Sequence, residues 1–359
     1  MNNIYFTPGP SQIYPTFRKH LREALDEDIT SISHRSNTFM QLFTTTRKNL
    51  ASFLGIPKTH KIYFLSSATE CMERILQNCV EESTFHFVNG AFSSLFYKSS
   101  INLNKNAKLK NANTSKSFNF SKISIPKYTE LVCFTHNETS TGVSLDLKLI
   151  KKVYKKDNML FALDIVSSVP YVNVDFSVFD LVFFSGQKGF GLPSGLGVLI
   201  VSPKAYERAS YLYNKSKSIK SYHDFINLEK YALHNQTPET PNVLLIYLFN
   251  KIIEDMIDYG IAKIRNETEL KSKLIYEYIE SSNYLSPFVE NISDRSMTVC
   301  IANTKSNSES IISTLKKHGL MIGSGYKEMK ASQIRIANFP AHSFKDYKNL
   351  VKTIERLGK

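Results

Sequence analysis

Between about residue 60 and residue 200 the chain repeats one phrase, a short apolar run, a polar turn and a longer mixed segment. This repetition constrains the fold more than any other feature, because strands joined through helices lie side by side and parallel, with helices packed over the sheet. The expected strands are Lys61–Leu65, Phe85–Val88, Glu130–Phe134, Met159–Leu163, Leu181–Phe184 and Gly197–Val201. The expected helices are Phe39–Phe53, Thr69–Cys79, Leu145–Lys155 and Lys204–Leu212. The polar stretch Asn102–Lys122 reads as a loop-rich surface segment.

At Thr237-Pro-Glu-Thr-Pro241 the pattern breaks, and a long helical periodicity runs from Asn242 to about Ser281 with Gly260 as its interruption. Beyond it, Ser296–Ala302 and Gln333–Ala337 read as strands, and Asn307–His318 and Phe344–Leu357 as helices. A chain of 359 residues exceeds the roughly 250–300 at which one core stops growing, so two domains are expected. The reading is an α/β protein with a mainly parallel central sheet flanked by helices, followed by a smaller α+β C-terminal domain.

The net charge of +13 raises the possibility of a nucleic-acid partner. The charge is spread through Lys/Asn/Ser mixtures, Asn104–Lys110 and Asn214–Lys220, without interleaved exposed aromatics, and that composition argues for solvated surface instead. No apolar run reaches the roughly 18 residues of a membrane helix, and the start, MNNIYFTPGP, lacks a leader pattern, so a soluble cytoplasmic protein is expected. Cys71, Cys79, Cys133 and Cys300 are far apart within apolar patterns and read as free buried thiols; no metal-ligand spacing is present.

In an open parallel sheet, ligands bind beyond the carboxyl ends of the strands. The residues following each expected strand form a coherent set: Ser66-Ser-Ala-Thr-Glu70, Asn89-Gly-Ala-Phe92, Thr135-His-Asn-Glu-Thr139, Asp164, and Ser185-Gly-Gln-Lys188. Each has an ordinary structural explanation. Ser67 could cap a helix, Phe92 could be core, and Asp164 could pair with a surface lysine. Together, an anion cup, a stacking ring, a carboxylate and a lysine at the mouth of a buried strand match what pyridoxal 5'-phosphate (PLP) needs. Lys188 would form the Schiff base, Asp164 would keep the pyridine nitrogen protonated, and Ser67 and Gln187 would hold the phosphate. A nicotinamide site fits poorly, because Gly189-Phe-Gly-Leu-Pro-Ser-Gly195 has the wrong third spacing and leads into a strand.

These residues, with Phe6-Thr-Pro-Gly-Pro10, Ser33-His-Arg35, Thr135-His-Asn-Glu-Thr-Ser-Thr-Gly142, Leu163-Asp-Ile-Val-Ser-Ser168, Ser185-Gly-Gln-Lys-Gly189, Gln236-Thr-Pro238 and Gln333-Ile-Arg335, resemble the fold type I, class V PLP-dependent aminotransferases over essentially the whole chain. Within that family the resemblance is greatest to the phosphoserine branch, with some segments nearer the alanine/serine–glyoxylate enzymes. It implies Lys188 and Asp164 as catalytic residues. Ser67, Ala68, Thr69, Phe92, Thr139 and Gln187 would join them around the cofactor, and Gln236 and Thr237 would reach it from a second subunit of a homodimer with shared sites. Arg335 would grip the substrate α-carboxylate, while His34 and Arg35 would read its distal anionic group. Phosphoserine enzymes carry a His-Arg pair shortly before the carboxylate arginine; here Tyr326-Lys327 stands there, and Lys327 keeps one charge.

The resemblance also implies three segments: 1–15 serving the active site and the small domain, 16–245 forming the large PLP-binding domain, and 246–359 forming the connecting helix and small domain. The implied reaction is ping-pong transfer between phosphoserine and 2-oxoglutarate, with amino-acid and 2-oxo-acid substrates and no nucleic-acid or membrane partner. The alternatives are a glyoxylate-type enzyme with a non-phosphorylated donor and a non-catalytic basic binding protein on the same fold. A cysteine desulfurase would need a mobile nucleophilic thiol, and Cys300 sits mid-strand.

Overall fold

The computed structural model describes residues 3–153 and 158–357. The chain opens with β1 (Ile4–Phe6), α1 (Phe17–Asp26) and α2 (Asn37–Leu54), followed by β2 (Lys61–Leu65), α3 (Ala68–Cys79), β3 (Ser83–Val88), α4 (Ala91–Asn102), β4 (Asn106–Asn111) and β5 (Leu131–Thr135). A tight hairpin, β6 (Asn137–Glu138) with β7 (Val143–Ser144), precedes the short α5 (Leu147–Ile150). Then come β8 (Leu160–Asp164), β9 (Leu181–Ser185), β10 (Gly197–Val201), α6 (Pro203–Asn214) and α7 (Phe225–Ala232). Two long helices, α8 (Val243–Tyr259) and α9 (Ile261–Ser281), break at Gly260 as expected. The chain ends with β11 (Leu285–Pro287), β12 (Val299–Thr304), α10 (Ser308–Lys317), β13 (Leu320–Ser324), β14 (Gln333–Ala337) and α11 (Phe344–Leu357).

Seven strands form the central sheet in the order β2-β10-β9-β8-β5-β3-β4. Pairing is parallel from β9 through β8, β5 and β3 to β4, and only β10 runs against its neighbours. The reversal has a simple cause. Residues 186–196 carry no helix between β9 and β10, and a connection that short returns the chain antiparallel. Strands β5, β8, β9 and β10 are buried along their whole length, which is why they read as unbroken apolar runs.

Two expected features differ from the structure. Within Asn102–Lys122, β4 pairs in parallel with all of β3 as the sheet edge. Its residues, Asn-Ala-Lys-Leu-Lys-Asn, are mostly exposed and carry two lysines, so they look like loop in sequence while guarding an edge. The expected helix Leu145–Lys155 is a single turn, Leu147–Ile150, and residues 154–157 lie outside the described residues.

A second sheet, β1-β13-β14-β12-β11, is antiparallel except where β1 pairs with β13. Its apolar core gathers Phe6 with residues from Ile275 to Ile354, whereas the core around the larger sheet draws on Phe17 through Ile264. The N-terminal segment therefore crosses between the two. After β1 it passes over the strand ends of the large sheet, where Tyr14 N–H donates to Gly191 O (2.9 Å).

Candidate active site

The carboxyl ends of the parallel strands open into a cavity of about 610 Å³ whose lining includes Ser67, Ala68, Thr69, Phe92, Thr139, Asp164, Gln187, Lys188 and Arg335. Nine of the residues singled out in the sequence thus meet in one place. Each arrives on a recognisable element. Asp164 is the last residue of β8, Lys188 follows β9, and Arg335 projects from β14 of the second sheet. Ser67 caps α3, its hydroxyl accepting the Glu70 N–H (3.1 Å). No hydrogen bond to Ala68 N–H or Thr69 N–H forms among the described residues, so the first turn of α3 presents free donors and its dipole to the cavity.

Lys188 is 6% exposed, and its Nζ donates to Thr139 Oγ1 (3.0 Å) and lies 5.1 Å from the centre of the Phe92 ring. Burial pushes its pKa below that of an ordinary lysine, against the pull of the Asp164 and Glu138 carboxylates, while Arg335 pushes the same way as burial. Asp164, 4% exposed, is pushed up by burial, opposed by the Val166 N–H on its Oδ1 (2.8 Å) and by the charge of Lys188. Gly9 lies against the lysine stem. A Cβ there would stand 2.7 Å from Lys188 Cε, and the φ of +144° already excludes most side chains.

A second buried lysine shows what distinguishes this site. Lys271 is 1% exposed and its pKa is pushed down to about 8 by burial, yet its Nζ is committed to the carbonyls of His342 (2.7 Å) and Phe339 (3.3 Å) in a separate cavity. A depressed amine is common to both. Lys271 also has a ring nearby, the Tyr347 centre 5.7 Å from its Nζ, and Glu267 in its cavity wall, but of the two lysines only Lys188 shares its cavity with the open first-turn amides of a helix.

Arg335 holds its place through Nε to Ser324 O (2.7 Å) and Nη1 to Thr139 O (3.3 Å), and no hydrogen bond from Nη2 forms among the described residues. Tyr326 packs under it, the guanidinium carbon 5.6 Å from the ring centre, and faces Phe92 at 6.1 Å. The sequence placed emphasis on Lys327 at this corner. In the structure Lys327 lies outside the Lys188 cavity, lining a neighbouring hollow of about 350 Å³, and Tyr326 is the residue that walls both. Phe92 sits in the first turn of α4.

His34, Arg35, Gln236 and Thr237 do not line this chain's cavity. Three of them meet elsewhere: Arg35 Nη1 donates to Gln236 Oε1 (2.6 Å) and Thr237 O (2.9 Å), with the guanidinium carbon 4.8 Å from the Tyr231 ring centre. Ser185 was missed as a separate candidate. Its hydroxyl and the side-chain oxygen of Gln187 are buried without a partner at the cavity wall, which fits a polar ligand's presence there. The donor amides of α3, these unpaired groups, the Phe92 ring and the Asp164–Lys188 pair suit the phosphate, ring and carbonyl ends of PLP.

The class V aminotransferase family model matches residues 5–337. A phosphoserine aminotransferase of Rhodococcus opacus is 26% identical over 98% of this chain and 94% of that protein. The crystal structure of a phosphoserine aminotransferase from Cytophaga hutchinsonii is 45% identical, covers 99% of both chains and superposes with a TM-score of 0.97. An alanine–glyoxylate aminotransferase from Nostoc shares the fold at 18% identity, with a TM-score of 0.84 over 100% of this chain and 96% of that one. With its matched sequence spanning both sheets and the lysine site between them, the chain belongs to the class V aminotransferases, enzymes that work with PLP.

Proposed function

We propose that this aminotransferase exchanges an amino group between O-phosphoserine and 2-oxoglutarate. The observation that carries the substrate assignment is the 45% identity, over 99% of both chains, to a phosphoserine aminotransferase. PLP, when bound, supplies a carbonyl that captures the amino group and a ring that accepts the electron pair released at the substrate Cα. Lys188 would anchor it and would also carry the proton to and from Cα, a role that its burial suits by favouring the neutral amine. Asp164 would face the ring nitrogen, whose positive charge would hold the buried carboxyl in its ionised form. Ser67, Ala68, Thr69 and Gln187 would hold the phosphate, Phe92 would cover the ring, and the Thr139 hydroxyl would serve its phenolic oxygen. Arg335 binds the α-carboxylate with the guanidinium edge left open by its two protein hydrogen bonds.

The separate Arg35 cluster supports a homodimer in which Gln236 and Thr237 complete the partner's phosphate site and His34 and Arg35 read the distal phosphoryl group, with Lys327 adding charge at the entrance. The two apolar cores support a large domain and a small domain, with 1–15 serving both; because α8 and Ile264 pack into the larger core, we place the boundary within α9. Four free, buried cysteines suit the cytoplasm, and no helix among the described residues is long and apolar enough to cross a membrane.

One observation favours the glyoxylate-type alternative: of the Tyr326-Lys327 pair, the uncharged Tyr326 lines the Lys188 cavity and Lys327 does not. The test is a half-reaction. Protein loaded with PLP is mixed separately with O-phosphoserine, glutamate, serine and alanine while the visible band of the cofactor is followed. Loss of the band with phosphoserine and glutamate supports the proposal. Loss with serine or alanine but not phosphoserine refutes it in favour of the glyoxylate branch.

A further inference from the structure

Glu138 is fully buried, and its carboxylate forms no ion pair among the described residues. Its oxygens accept the N–H groups of Phe92 (3.1 Å) and Ser93 (2.9 Å), the N–H of Ser140 (3.1 Å) and the hydroxyls of Ser93 (2.9 Å) and Ser140 (2.6 Å). The Ala91 N–H closes on Ser140 Oγ (2.9 Å) and the Gly90 N–H on Ser93 Oγ (3.1 Å). A carboxylate from the β6–β7 hairpin therefore caps α4, where the helix dipole favours negative charge. Gly90 makes the approach possible, since a Cβ there would fall 2.3 Å from Glu138 Cγ.

Burying a full charge is costly, and neutral side chains cap helices well. What this charge touches is informative. It fixes the backbone of Phe92, while the next residue, Thr139, takes the Lys188 Nζ on its hydroxyl (3.0 Å) and Arg335 Nη1 on its carbonyl (3.3 Å). One dipeptide thus ties together the aromatic face, the reactive amine and the carboxylate-binding arginine.

We propose that Glu138 is a positioning residue for the cofactor, setting the Phe92 ring and the Thr139 hydroxyl relative to Lys188. This rests on the assignment of PLP to the Lys188 cavity. Glu138→Gln keeps the shape and removes the charge, and Phe92→Leu removes the ring. For each variant and the double variant, PLP is titrated into apo-protein by absorbance, the visible circular dichroism of the bound cofactor is recorded, and the melting of the apo-protein is measured. The expected result is a loss of PLP affinity of about tenfold for Glu138→Gln, with altered visible dichroism. The double variant should lose less than the product of the two single losses, because part of the Glu138 effect passes through the Phe92 ring.

A Glu138→Gln variant that melts earlier but binds PLP normally with unchanged dichroism overturns the proposal, and so do losses that multiply in the double variant. Should Glu138→Gln fail to fold, Ser140→Ala, which removes only the hydroxyl shared by Glu138 and the Ala91 N–H, is expected to change the dichroism in the same direction; an unchanged signal overturns the proposal. Wild-type protein that takes up no PLP overturns the cofactor assignment itself, before any variant is compared.

Discussion

Lys188 and Lys271 are both almost wholly buried, but their partners assign them different work. Lys271 joins its helix, α9, to the carbonyls of Phe339 and His342, so Lys271→Met should cost about 1–3 kcal/mol of stability by leaving those acceptors unpaired. PLP uptake should remain. Lys188→Arg should preserve the fold and lower turnover by at least about 10³-fold, because a guanidinium can neither anchor the cofactor nor move the Cα proton at neutral pH. Single-turnover and melting measurements on the two variants separate these outcomes. Arg335→Lys tests the third cation. It loses the planar two-point grip and should lower kcat/KM by about 10- to 100-fold for every amino donor alike, with the cofactor band unchanged.

The first turn of helix α3 is held by one bridge. His223 Nδ1 meets Glu70 Oε1 (2.6 Å) and its Nε2 meets Glu239 Oε2 (2.7 Å), linking the first turn of α3 to the segment just after Thr237. Burial acts against charge on both Glu70 and His223, yet their mutual hydrogen bond, with those from Ser66 and Glu239, brings Glu70 down to about 2 and raises His223. The His223 contribution is complete below its ordinary value of 6.5 and fades as pH rises through the raised one, while that of Glu70 is present above 4.5 and lost as pH falls toward 2. His223→Gln should therefore cost about 1–3 kcal/mol between about pH 4.5 and 6.5, and progressively less at higher pH, in denaturant melts across that range. Elements buried on both faces, such as β8 and β9, were legible as apolar runs, and so were Asp164, which ends β8, and Lys188, three residues past the end of β9. Elements at the surface were not: β4 is polar because it guards an edge, and α4 presents Ser93, Ser99 and Ser100 to the interior, which interrupts its apolar stripe. Glu138 gave no signal of its cap either, since its partner helix lies 45 residues earlier (Ser93 to Glu138).

At the scale of the whole molecule, the site joins two sheets and draws on both ends of the chain, because β1 belongs to the second sheet and Thr7–Pro10 lines the cavity. The places of Asp164 and Lys188 at the cavity could be anticipated because one ends a strand and the other follows one, whereas the place of Tyr326 rather than Lys327 at the wall is set by the turn before β14. Arg35, Gln236 and Thr237 meet outside this cavity, which His34 does not line either, and the proposed shared-site homodimer would account for all four. Mixing inactive Lys188→Ala and Arg35→Ala homodimers under subunit exchange should restore activity, since one of the two sites in each hybrid has every residue intact; no recovery after demonstrated exchange would contradict sharing. The most direct test of the account is to trap the cofactor. PLP-loaded protein is reduced with borohydride, digested and mapped by mass spectrometry, before and after exposure to O-phosphoserine. The account predicts a single pyridoxyl label on Lys188 that is absent once phosphoserine has been turned over; a label on Lys271 or another lysine, or none at all, would contradict it.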